Sequence, residues 1–380
     1  MPEPARSPHA TPSGPPRSPL DVLVIGAGQA GLAVGHHLAG RGLRFLLVDG
    51  APEIGHSWRT RWDSLRLFTA AEYSGLPGMP FPAPPGTYPG KDQVADYLQA
   101  YAARFDLPVM LGTRVQQVAR SEGLFRADTS QGTLWARQVV VATGPFQRPR
   151  IPSPSEGFAA SVRQLHSSTY RNPTDLPDGP VLVVGAGNSG LQIALELAGT
   201  RDVHLAVGTR QKAVPQRPLG RDLFWWLTKT GIVTRPSSSP VAAWFRKRGG
   251  DLVIGTTWND VTRAGIRVHP RLVGASGHAA QLADGAAVDE VATVLWATGF
   301  RSDYSWLDIP DVWEGSQVRH TRGRTDVPGL WFIGLPWQHT RGSALLGFVG
   351  DDARWVADGV TTTATELTGN TGHTPLQYVS

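Results

Sequence analysis

The sequence predicts an α/β fold made of two similar units, because one pattern of strand, glycine-rich turn and helix occurs twice in the chain. Residues 22–39 read VLVIGAGQAGLAVGHHLA and residues 181–198 read VLVVGAGNSGLQIALELA, and the two stretches are identical at ten of eighteen positions. In each stretch an apolar strand ends at the first glycine of a G-x-G-x-x-G turn, and a helical pattern follows. This arrangement is typical of Rossmann-like dinucleotide-binding domains, and we expect two of them.

Composition narrows the class of protein. Of the 380 residues, 41% are apolar, and no apolar run is long enough to cross a bilayer. There is no cysteine, which excludes disulfide bonds, thiolate metal sites and catalytic thiols. The net charge of +5 comes without a zinc-finger spacing or a nucleic-acid-binding motif, so we expect no nucleic-acid partner. His36 and His37 are adjacent on a predicted helix and point to different faces, so we expect no metal there.

The N-terminal residues 1–19 have the composition of a disordered segment. They contain seven prolines and lack the apolar stretch of a secretory signal. We therefore expect a disordered tail at 1–19 and a cytoplasmic protein.

The first glycine turn has the residues that a dinucleotide diphosphate requires. Gly26 makes the tight turn, Gly28 lets backbone amides approach the diphosphate, and Gly31 lets the helix pack closely on the strand. The helix N-terminus adds partial positive charge. The next strand, LRFLLVDG, ends in Asp49, eighteen residues after Gly31. This carboxylate would accept a hydrogen bond from a ribose hydroxyl, so we predict that the first site prefers an adenosine with a free 2′-hydroxyl.

The second turn repeats the glycine spacing but is followed by a different strand end. The strand VHLAVGTR has no acid and ends in Thr209 and Arg210. A carboxylate would repel a 2′-phosphate, whereas an arginine pairs with it bidentately. The alternative is that Arg210 is a solvated surface charge. We therefore predict FAD as the resident cofactor of the first site and NADPH as the visiting hydride donor of the second.

Several further stretches carry a resemblance to a known family. They are VVVATG, VLWATGF, GHSWRTRWDSLRLFT, YPGKDQVADYLQAYAARFDL, HSSTY and GLWFIGLP, at 139–144, 294–300, 55–69, 88–107, 166–170 and 329–336. With the two glycine turns they resemble the flavin-containing monooxygenase-like flavoproteins, and among these a bacterial subgroup labelled as flavoproteins of potassium transport. The resemblance covers about residues 20–357. It implies an FAD/NAD(P)-binding oxidoreductase whose NADPH domain is inserted in the FAD domain.

The glycine turns, the strand ends and the resemblance together define the candidate cofactor-binding residues. For the first site they are Gly26, Gly28, Gln29, Ala30, Gly31, Asp49, Gly50, Ser57, Trp58, Arg59, Leu65, Val115 and Gly334. For the second site they are Gly185, Gly187, Asn188, Ser189, Gly190, Thr209 and Arg210. The paired ATG turns, which close each domain in that family, add Ala142, Thr143, Gly144, Ala297, Thr298 and Gly299.

The chain departs from the family pattern at several positions. The family signature F-x-G-x-x-x-H-x-x-x-[FYW] ends in His166 and Tyr170 here, but Ala160 and Val162 replace its phenylalanine and glycine. Phe68 stands where animal members carry an asparagine near the flavin. These departures weaken any specific expectation of ketone oxygenation or N-oxidation.

The predicted organisation places the second domain inside the first. We expect the FAD-binding domain at 20–175 and 289–357, the NADPH-binding domain at 178–288, and a flexible tail at 358–380. The proline-rich linker PFQRPRIPSPSEGF indicates a hinge between them. The aromatic and basic segment 221–250 leaves surface association with a membrane open. We favour instead a segment that covers a substrate channel or fills the domain interface.

The missing cysteines limit where the electrons of a reduced flavin can go: to oxygen, to a small oxidant such as a quinone, or to another protein. The leading hypothesis is an NADPH-dependent flavoprotein monooxygenase, in which hydride passes from NADPH to FAD and a C4a-hydroperoxyflavin transfers oxygen to a small organic substrate. The alternatives are an NADPH:acceptor oxidoreductase without oxygen insertion and a non-catalytic FAD/NADPH redox sensor. The sequence names no catalytic side chain, substrate or oligomeric state; Arg59 and Lys91 are near-flavin candidates by resemblance alone.

Overall fold

The computed structural model describes residues 18–240, 242–243, 252–315 and 317–369, and every structural statement below concerns these residues. Most of the two expected tails, residues 1–17 and 370–380, lies outside them. The described helices, α1 to α7, are Gln29–Leu38, His56–Arg59, Lys91–Arg104, Asn188–Ala198, Leu223–Lys229, Trp258–Arg263 and Gly350–Gly369. The described strands, β1 to β22, are Leu20–Ile25, Phe45–Val48, Val109–Met110, Val115–Ser121, Leu124–Thr129, Gly132–Val141, Arg148–Pro149, Arg163–His166, Val181–Val184, Val203–Ala206, Ala213–Val214, Val253–Ile254, Arg267–His269, Leu272–Ser276, Ala279–Leu282, Ala287–Val288, Thr293–Trp296, Phe300–Arg301, Leu307–Asp308, Trp313–Glu314, Gln317–Val318 and Leu330–Phe332.

The first sheet has a parallel part and an antiparallel part that share strand β6. In the parallel part the order is β3-β2-β1-β6-β22, and Ile25 at the end of β1 lies between Val48 and Val141. The first half of β6 pairs with β5, and β5 pairs with β4, both antiparallel. The antiparallel part is the small alternating sheet that the sequence predicts between the first helix and the first ATG turn.

The second sheet is parallel throughout and has the order of the first except at one edge, where β8 precedes the central strand in the chain and β22 of the first sheet follows it. Its strands run β13-β10-β9-β17-β8, and Val184 at the end of β9 lies between Ala206 and Trp296. Each glycine turn therefore follows the central strand of its sheet, and each ATG turn follows the strand beside it. This confirms the predicted α/β fold with two Rossmann-like units.

The predicted domain boundaries differ from the structure at two strands. The expected FAD-binding stretches, 20–175 and 289–357, include Arg163–His166 and Thr293–Trp296, yet both strands pair within the second sheet. The second unit therefore begins before residue 163 and ends after residue 296. The reason is physical: the sheet to which a short strand belongs is fixed by long-range register, which local sequence does not encode.

The chain passes between the two units through a paired crossing. Strand β7 on the way out pairs antiparallel with β18 on the way back, with Pro149 opposite Phe300. The backbone amide of Arg150 donates to the Gly299 carbonyl over 2.9 Å. The proline-rich linker that the sequence indicates as a hinge is thus one strand of a two-stranded ribbon.

Both faces of the first sheet are buried, which explains its continuous apolar strands. Val22 and Val24 of β1 belong to the core under α1, α3 and α7, whereas Leu23 and Ile25 belong to the core on the opposite face. All four side chains are 0–4% exposed. A strand covered on both sides needs apolar residues at every buried position, as VLVI at 22–25 has.

The expected flexible tail at 358–380 is wrong over its first part, because helix α7 continues to Gly369. Val356, Val360 and Ala364 follow one another at helical spacing and are 0%, 0% and 8% exposed. The Gln138 side-chain amide, itself fully buried, donates to the Val360 carbonyl over 2.8 Å. The threonines of this stretch suggest a loop, but the apolar stripe between them packs on the core.

Histidines at the end of α1 make the fold sensitive to acid. The His36 ring packs edge-on against Phe105 at 4.3 Å between centroids. Burial lowers the pKa of His37 to about 4, and His36 adds to this effect. The unfolded chain therefore binds more protons than the fold as the pH falls from about 6.5 to about 4, so the free energy of unfolding decreases over that window.

We expect His37→Gln to lose part of this acid sensitivity. Since the ring is only partly buried, the expected difference from the unmodified chain is about 1–2 kcal/mol between pH 7 and pH 4. Urea unfolding at a series of pH values measures it. Parallel curves for the two proteins would show that folding does not change the pKa of His37.

Candidate dinucleotide sites and the junction between them

Packing requires glycine at two positions of the first turn and leaves the third open. Gly26 has φ +107°, and a Cβ there would lie 2.7 Å from the Ala142 carbonyl oxygen. A Cβ on Gly31 would lie 1.9 Å from the Gly26 carbonyl oxygen, whereas a Cβ on Gly28 would meet nothing within 4 Å. Gly28 caps α1 without a side-chain hydrogen bond, and no acid lies in the first helical turn. The first amides of α1 thus face open space, as an approaching phosphate requires.

The second turn has the same geometry. Gly185 has φ +109°, and its Cβ would lie 2.4 Å from the Ala297 carbonyl oxygen. A Cβ on Gly190 would lie 2.0 Å from the Gly185 carbonyl oxygen, and a Cβ on Gly187 would again meet nothing within 4 Å. The helix that follows has neither a side-chain cap nor an acid in its first turn. Both turns fit a dinucleotide diphosphate equally well.

The ATG turns support these glycine turns from the neighbouring strand. Their alanine carbonyls are the atoms that exclude a Cβ from Gly26 and Gly185. Their threonine hydroxyls bind the chain crossing: Thr143 accepts a hydrogen bond from the Gln147 side chain at 2.8 Å, and Thr298 donates to the Arg150 carbonyl. The threonines therefore connect each nucleotide site to the crossing between the units.

The first side chain of each helix holds a neighbouring loop. The Gln29 amide donates to the Ala344 carbonyl over 2.9 Å. The Asn188 amide donates to the Leu252 carbonyl over 3.1 Å, and its oxygen accepts from the Ile254 amide over 2.9 Å. The side chains of these predicted cofactor-binding residues thus bind loops of the protein, and their backbone amides remain available to a nucleotide.

The predicted residues around the first helix start follow the same pattern. A Cβ on Gly334 would lie 2.9 Å from the Ala30 Cβ, so the loop after β22 crosses the first turn of α1 closely. Gly50 is exposed, and Val115 is half-buried at the start of β4. Ser189 is half-buried in the first turn of α4.

Asp49 is held beside the first glycine turn by the backbone. Its carboxylate accepts hydrogen bonds from the amides of Ala27 and Ala51, both at 2.8 Å. One oxygen takes each bond, so both retain lone pairs for a further donor. The sequence placed this acid at the end of the second strand, and the structure fixes its orientation toward the turn.

The equivalent strand end in the second unit is positively charged. The exposed Arg210 guanidinium lies over the Trp258 ring, 4.4 Å from its centroid. A Cβ on Gly208 would lie 3.4 Å from the Arg271 guanidinium, so a second arginine reaches the same strand end. Among the described side chains, no carboxylate forms an ion pair with either arginine. Two guanidinium groups without an acid suit a phosphate.

The near-flavin candidates Arg59 and Lys91 are paired with acids. The Arg59 guanidinium lies 2.8 Å from an oxygen of Asp96, with Glu53 and Asp92 at 3.4 and 3.6 Å. The hydrogen bond to Asp96 raises the pKa of Arg59. Lys91 lies 3.2 Å from Asp92 and 3.4 Å from Asp63. Both charges are therefore committed to this ion-pair cluster, which local sequence could not reveal because its acids come from two segments.

The segment around α2 joins the two units. Trp62 and Leu65 are 4% and 8% exposed and belong to the core of the second sheet, where they accompany Tyr170. Trp58 contacts the cores of both units. Ser57 is exposed. The residues that the resemblance assigns to the flavin environment thus include the apolar contact between the two units.

His166 fastens the return crossing to the second sheet. Its Nε2 donates to the Gly299 carbonyl at 3.0 Å, and its Nδ1 accepts from the Ser168 hydroxyl at 2.9 Å. The ring lies edge-on to Phe300, 4.9 Å away. Burial lowers the pKa of His166, and the positive charge of Arg61 lowers it further. A neutral histidine with both nitrogens engaged positions the chain crossing.

The described part of segment 221–250 fills the space between the units. Asp222 accepts from the Phe224 amide at 2.7 Å and starts α5. Phe224 is fully buried, with the rings of Phe68 and Phe348 at 6.1 and 5.7 Å. Phe68, which replaces the asparagine of animal relatives, is therefore part of an aromatic contact. The basic residues 246–248 lie outside the described residues.

The described ranges contain neither a cluster of metal ligands nor a membrane-spanning helix. No group of three or more His, Asp or Glu side chains there is arranged to hold a metal ion. None of the helices in these ranges is both long and apolar enough to cross a membrane.

Sequence reasoning missed two arginines. Arg271 follows β13 and reaches a strand end that belongs to β10. Arg61 lies beside the aromatic rings that follow the two ATG turns, Phe146 and Phe300. Arg271 lies outside every motif, and Arg61 lies in the stretch 55–69 without being singled out there, so only the tertiary structure shows their positions.

Known proteins of similar sequence and structure share this architecture. The profile of the family described as pyridine nucleotide-disulphide oxidoreductase matches residues 23–221. The chain is 44% identical to an uncharacterized CzcO-like oxidoreductase of Geobacillus kaustophilus, over 90% of this chain and 98% of the relative. It is 31% identical to a flavin-containing monooxygenase from Stenotrophomonas maltophilia, with a TM-score of 0.74 over 90% of this chain and 98% of that one.

A more distant structure shares the fold. The complex of OTEMO with FAD and NADP has a TM-score of 0.69 at 19% identity, over 93% of this chain and 86% of that chain. The profile spans more than half of the chain and the Geobacillus relative covers most of it. The chain therefore belongs to the pyridine nucleotide-disulphide oxidoreductase family, as an FAD- and NADP-binding oxidoreductase of the flavoprotein monooxygenase type.

Proposed function

We propose that the chain is an NADPH-dependent monooxygenase that holds FAD at its first glycine turn and receives NADPH at its second. The contrast between the two strand ends carries this proposal. Asp49 is fixed beside the first turn by backbone amides, whereas Arg210 and Arg271 lie at the equivalent end of β10. A carboxylate suits the free 2′-hydroxyl of an FAD adenosine, and guanidinium groups suit the 2′-phosphate of NADPH.

The two turns fit the diphosphates of these nucleotides. The space above Gly28 and Gly187 is open, and neither helix start carries a side-chain cap. We assign the FAD diphosphate to the first amides of α1, beginning with Gln29, and its adenosine ribose to Asp49. We assign the NADPH diphosphate to the first amides of α4, beginning with Asn188.

The chain's own part in the reaction is to bind two nucleotides, orient them and exclude water. When bound, FAD would supply the redox chemistry, as the group that takes hydride from NADPH and passes its electrons to oxygen. The buried side chains of Trp62 and Leu65 keep the two units in apolar contact beside this chemistry. Because the chain has no cysteine, the dithiol transfer of the disulphide reductases is unavailable, so the electrons go to an acceptor outside the chain, which we propose is oxygen.

Rapid mixing of the NADPH-reduced protein with oxygen tests the proposed reaction. We expect a transient absorbance of the flavin–oxygen adduct in the presence of NADP⁺. In a panel of amines, sulfides, ketones and indoles, at least one compound should turn NADPH consumption into product instead of peroxide. If every compound yields peroxide only and no adduct forms, the proposal fails. Oxidation of NADPH that depends on an added quinone would then favour the acceptor reductase.

Replacing Arg210 with alanine tests the nucleotide preference. Loss of a charge-assisted pair to the 2′-phosphate costs about 1.5–3 kcal/mol, so the KM for NADPH should rise about 10- to 150-fold. The KM for NADH should change about two-fold at most, since NADH lacks that phosphate. Steady-state kinetics with both nucleotides measures the split.

A matched control is Arg263→Ala, which removes an equally exposed arginine from the helix that carries Trp258. We expect it to change neither KM. An equal rise for NADPH and NADH in Arg210→Ala would contradict the assignment of the 2′-phosphate.

A further inference from the structure

One arginine at the junction of the two units is mostly buried and has no carboxylate to pair with. The Arg61 guanidinium lies 5.4 Å from the centroid of the Phe300 ring and 5.8 Å from that of Phe146. Its Nε donates to the Ser57 carbonyl over 3.0 Å. Within the described ranges, no Asp or Glu oxygen comes within ion-pair distance of it. Buried charges in proteins are otherwise paired, because an isolated one is costly.

The surroundings of Arg61 add positive charge instead of compensating it. Burial lowers the pKa of Arg61, and the second cause is the positive charge of Arg171. Among the described residues, Arg171 donates hydrogen bonds to the backbone carbonyls of Ser168 and Tyr170, both over 3.2 Å, and its charge also helps to lower the pKa of Asp63. His166 also lies near Arg61, and its neutral ring has both nitrogens engaged in hydrogen bonds.

The neighbouring cations Arg59 and Lys91, unlike Arg61, form ion pairs with acids. Arg59, two residues earlier, has carboxylates from three acids around it. Lys91 lies within 3.4 Å of two acids. The chain therefore supplies acids for the cations beside Arg61 and leaves Arg61 without one.

The position of Arg61 indicates where an anion that pairs with its guanidinium would come from. Phe146 follows Gly144 by two residues, and Phe300 directly follows Gly299, so the two rings come from the loops after the two ATG turns. Phe146 is 64% exposed, which leaves its ring open to a molecule that enters the junction. Both rings follow ATG turns whose alanines pack against the two glycine turns, so Arg61 lies beside the chain crossing that joins the two units.

We propose that Arg61 binds an oxyanion at the junction, supplied either by the diphosphate of the nicotinamide dinucleotide or by a carboxylate on the substrate. Both offer the paired oxygens that a guanidinium fork binds. The proposal rests on the proposed function, since both ligands are its reactants. Arg61 would then recognise a charge that NADPH and NADH share, in contrast to Arg210.

Nucleotide-binding titrations with Arg61→Met test the first source of the oxyanion without turnover, so they do not depend on whether oxygen is inserted. KM measurements test the second source. If the diphosphate is the ligand, the Kd values for NADP⁺ and NAD⁺ should both rise about ten-fold or more. If the substrate supplies the carboxylate, both Kd values stay unchanged. In that case the KM rises at least ten-fold for carboxylate-bearing compounds in the substrate panel, and not for their amides or esters.

The control is Arg66→Met, which removes an exposed arginine from the same segment and should leave every constant unchanged. Flavin content and the melting temperature establish that each variant is folded. If Arg61→Met does not fold, Arg61→Lys gives the same test, because it keeps the charge but loses the planar fork. A folded variant with unchanged nucleotide Kd values and unchanged KM values for all compounds would overturn the proposal.

Discussion

The contact on which the site depends is the approach of one strand end to each glycine turn. The Ala142 carbonyl lies against Gly26, and the Ala297 carbonyl lies against Gly185, at distances that exclude any Cβ. Because each alanine follows the strand beside the central one, this contact sets the turn relative to the whole sheet. The open side of the turn then faces away from the protein, where the first helical amides remain available to a phosphate. Gly-x-Gly-x-x-Gly and Ala-Thr-Gly are thus two halves of one structural unit.

The same turns also determine how the two units are connected. Thr143 and Thr298 bind the residues of the crossing, so the chain that leaves one nucleotide site arrives directly at the other. His166 fastens the returning strand by its hydrogen bond to Gly299. Trp62 and Leu65, from the first unit, complete the core of the second. His166 and Tyr170, which the chain retains from the family signature, therefore help to hold the two units in place. None of their contacts among the described residues indicates a role in proton transfer.

Local requirements were predictable from the sequence, and long-range ones were not. The glycine turns and Asp49 follow from spacing, backbone conformation and strand ends, which are properties of short segments. The partner sheet of Arg163–His166 depends on register with residues far along the chain, and so it was misassigned. Arg271, which follows β13, approaches the end of β10. Arg61 comes from the stretch 55–69 and contacts the Phe300 ring at the junction. Both are ordinary arginines until the fold brings them there.

If the two turns hold different nucleotides as proposed, valine at each open glycine should remove one nucleotide and leave the other. Gly28 and Gly187 have φ of −76° and −79°, and a Cβ at either meets nothing within 4 Å, so both variants should fold. Gly28→Val should be purified without flavin yet still bind NADP⁺. Gly187→Val should retain its flavin, which dithionite reduces but NADPH does not. Loss of flavin from both variants, or normal reduction of Gly187→Val by NADPH, would contradict the division of labour.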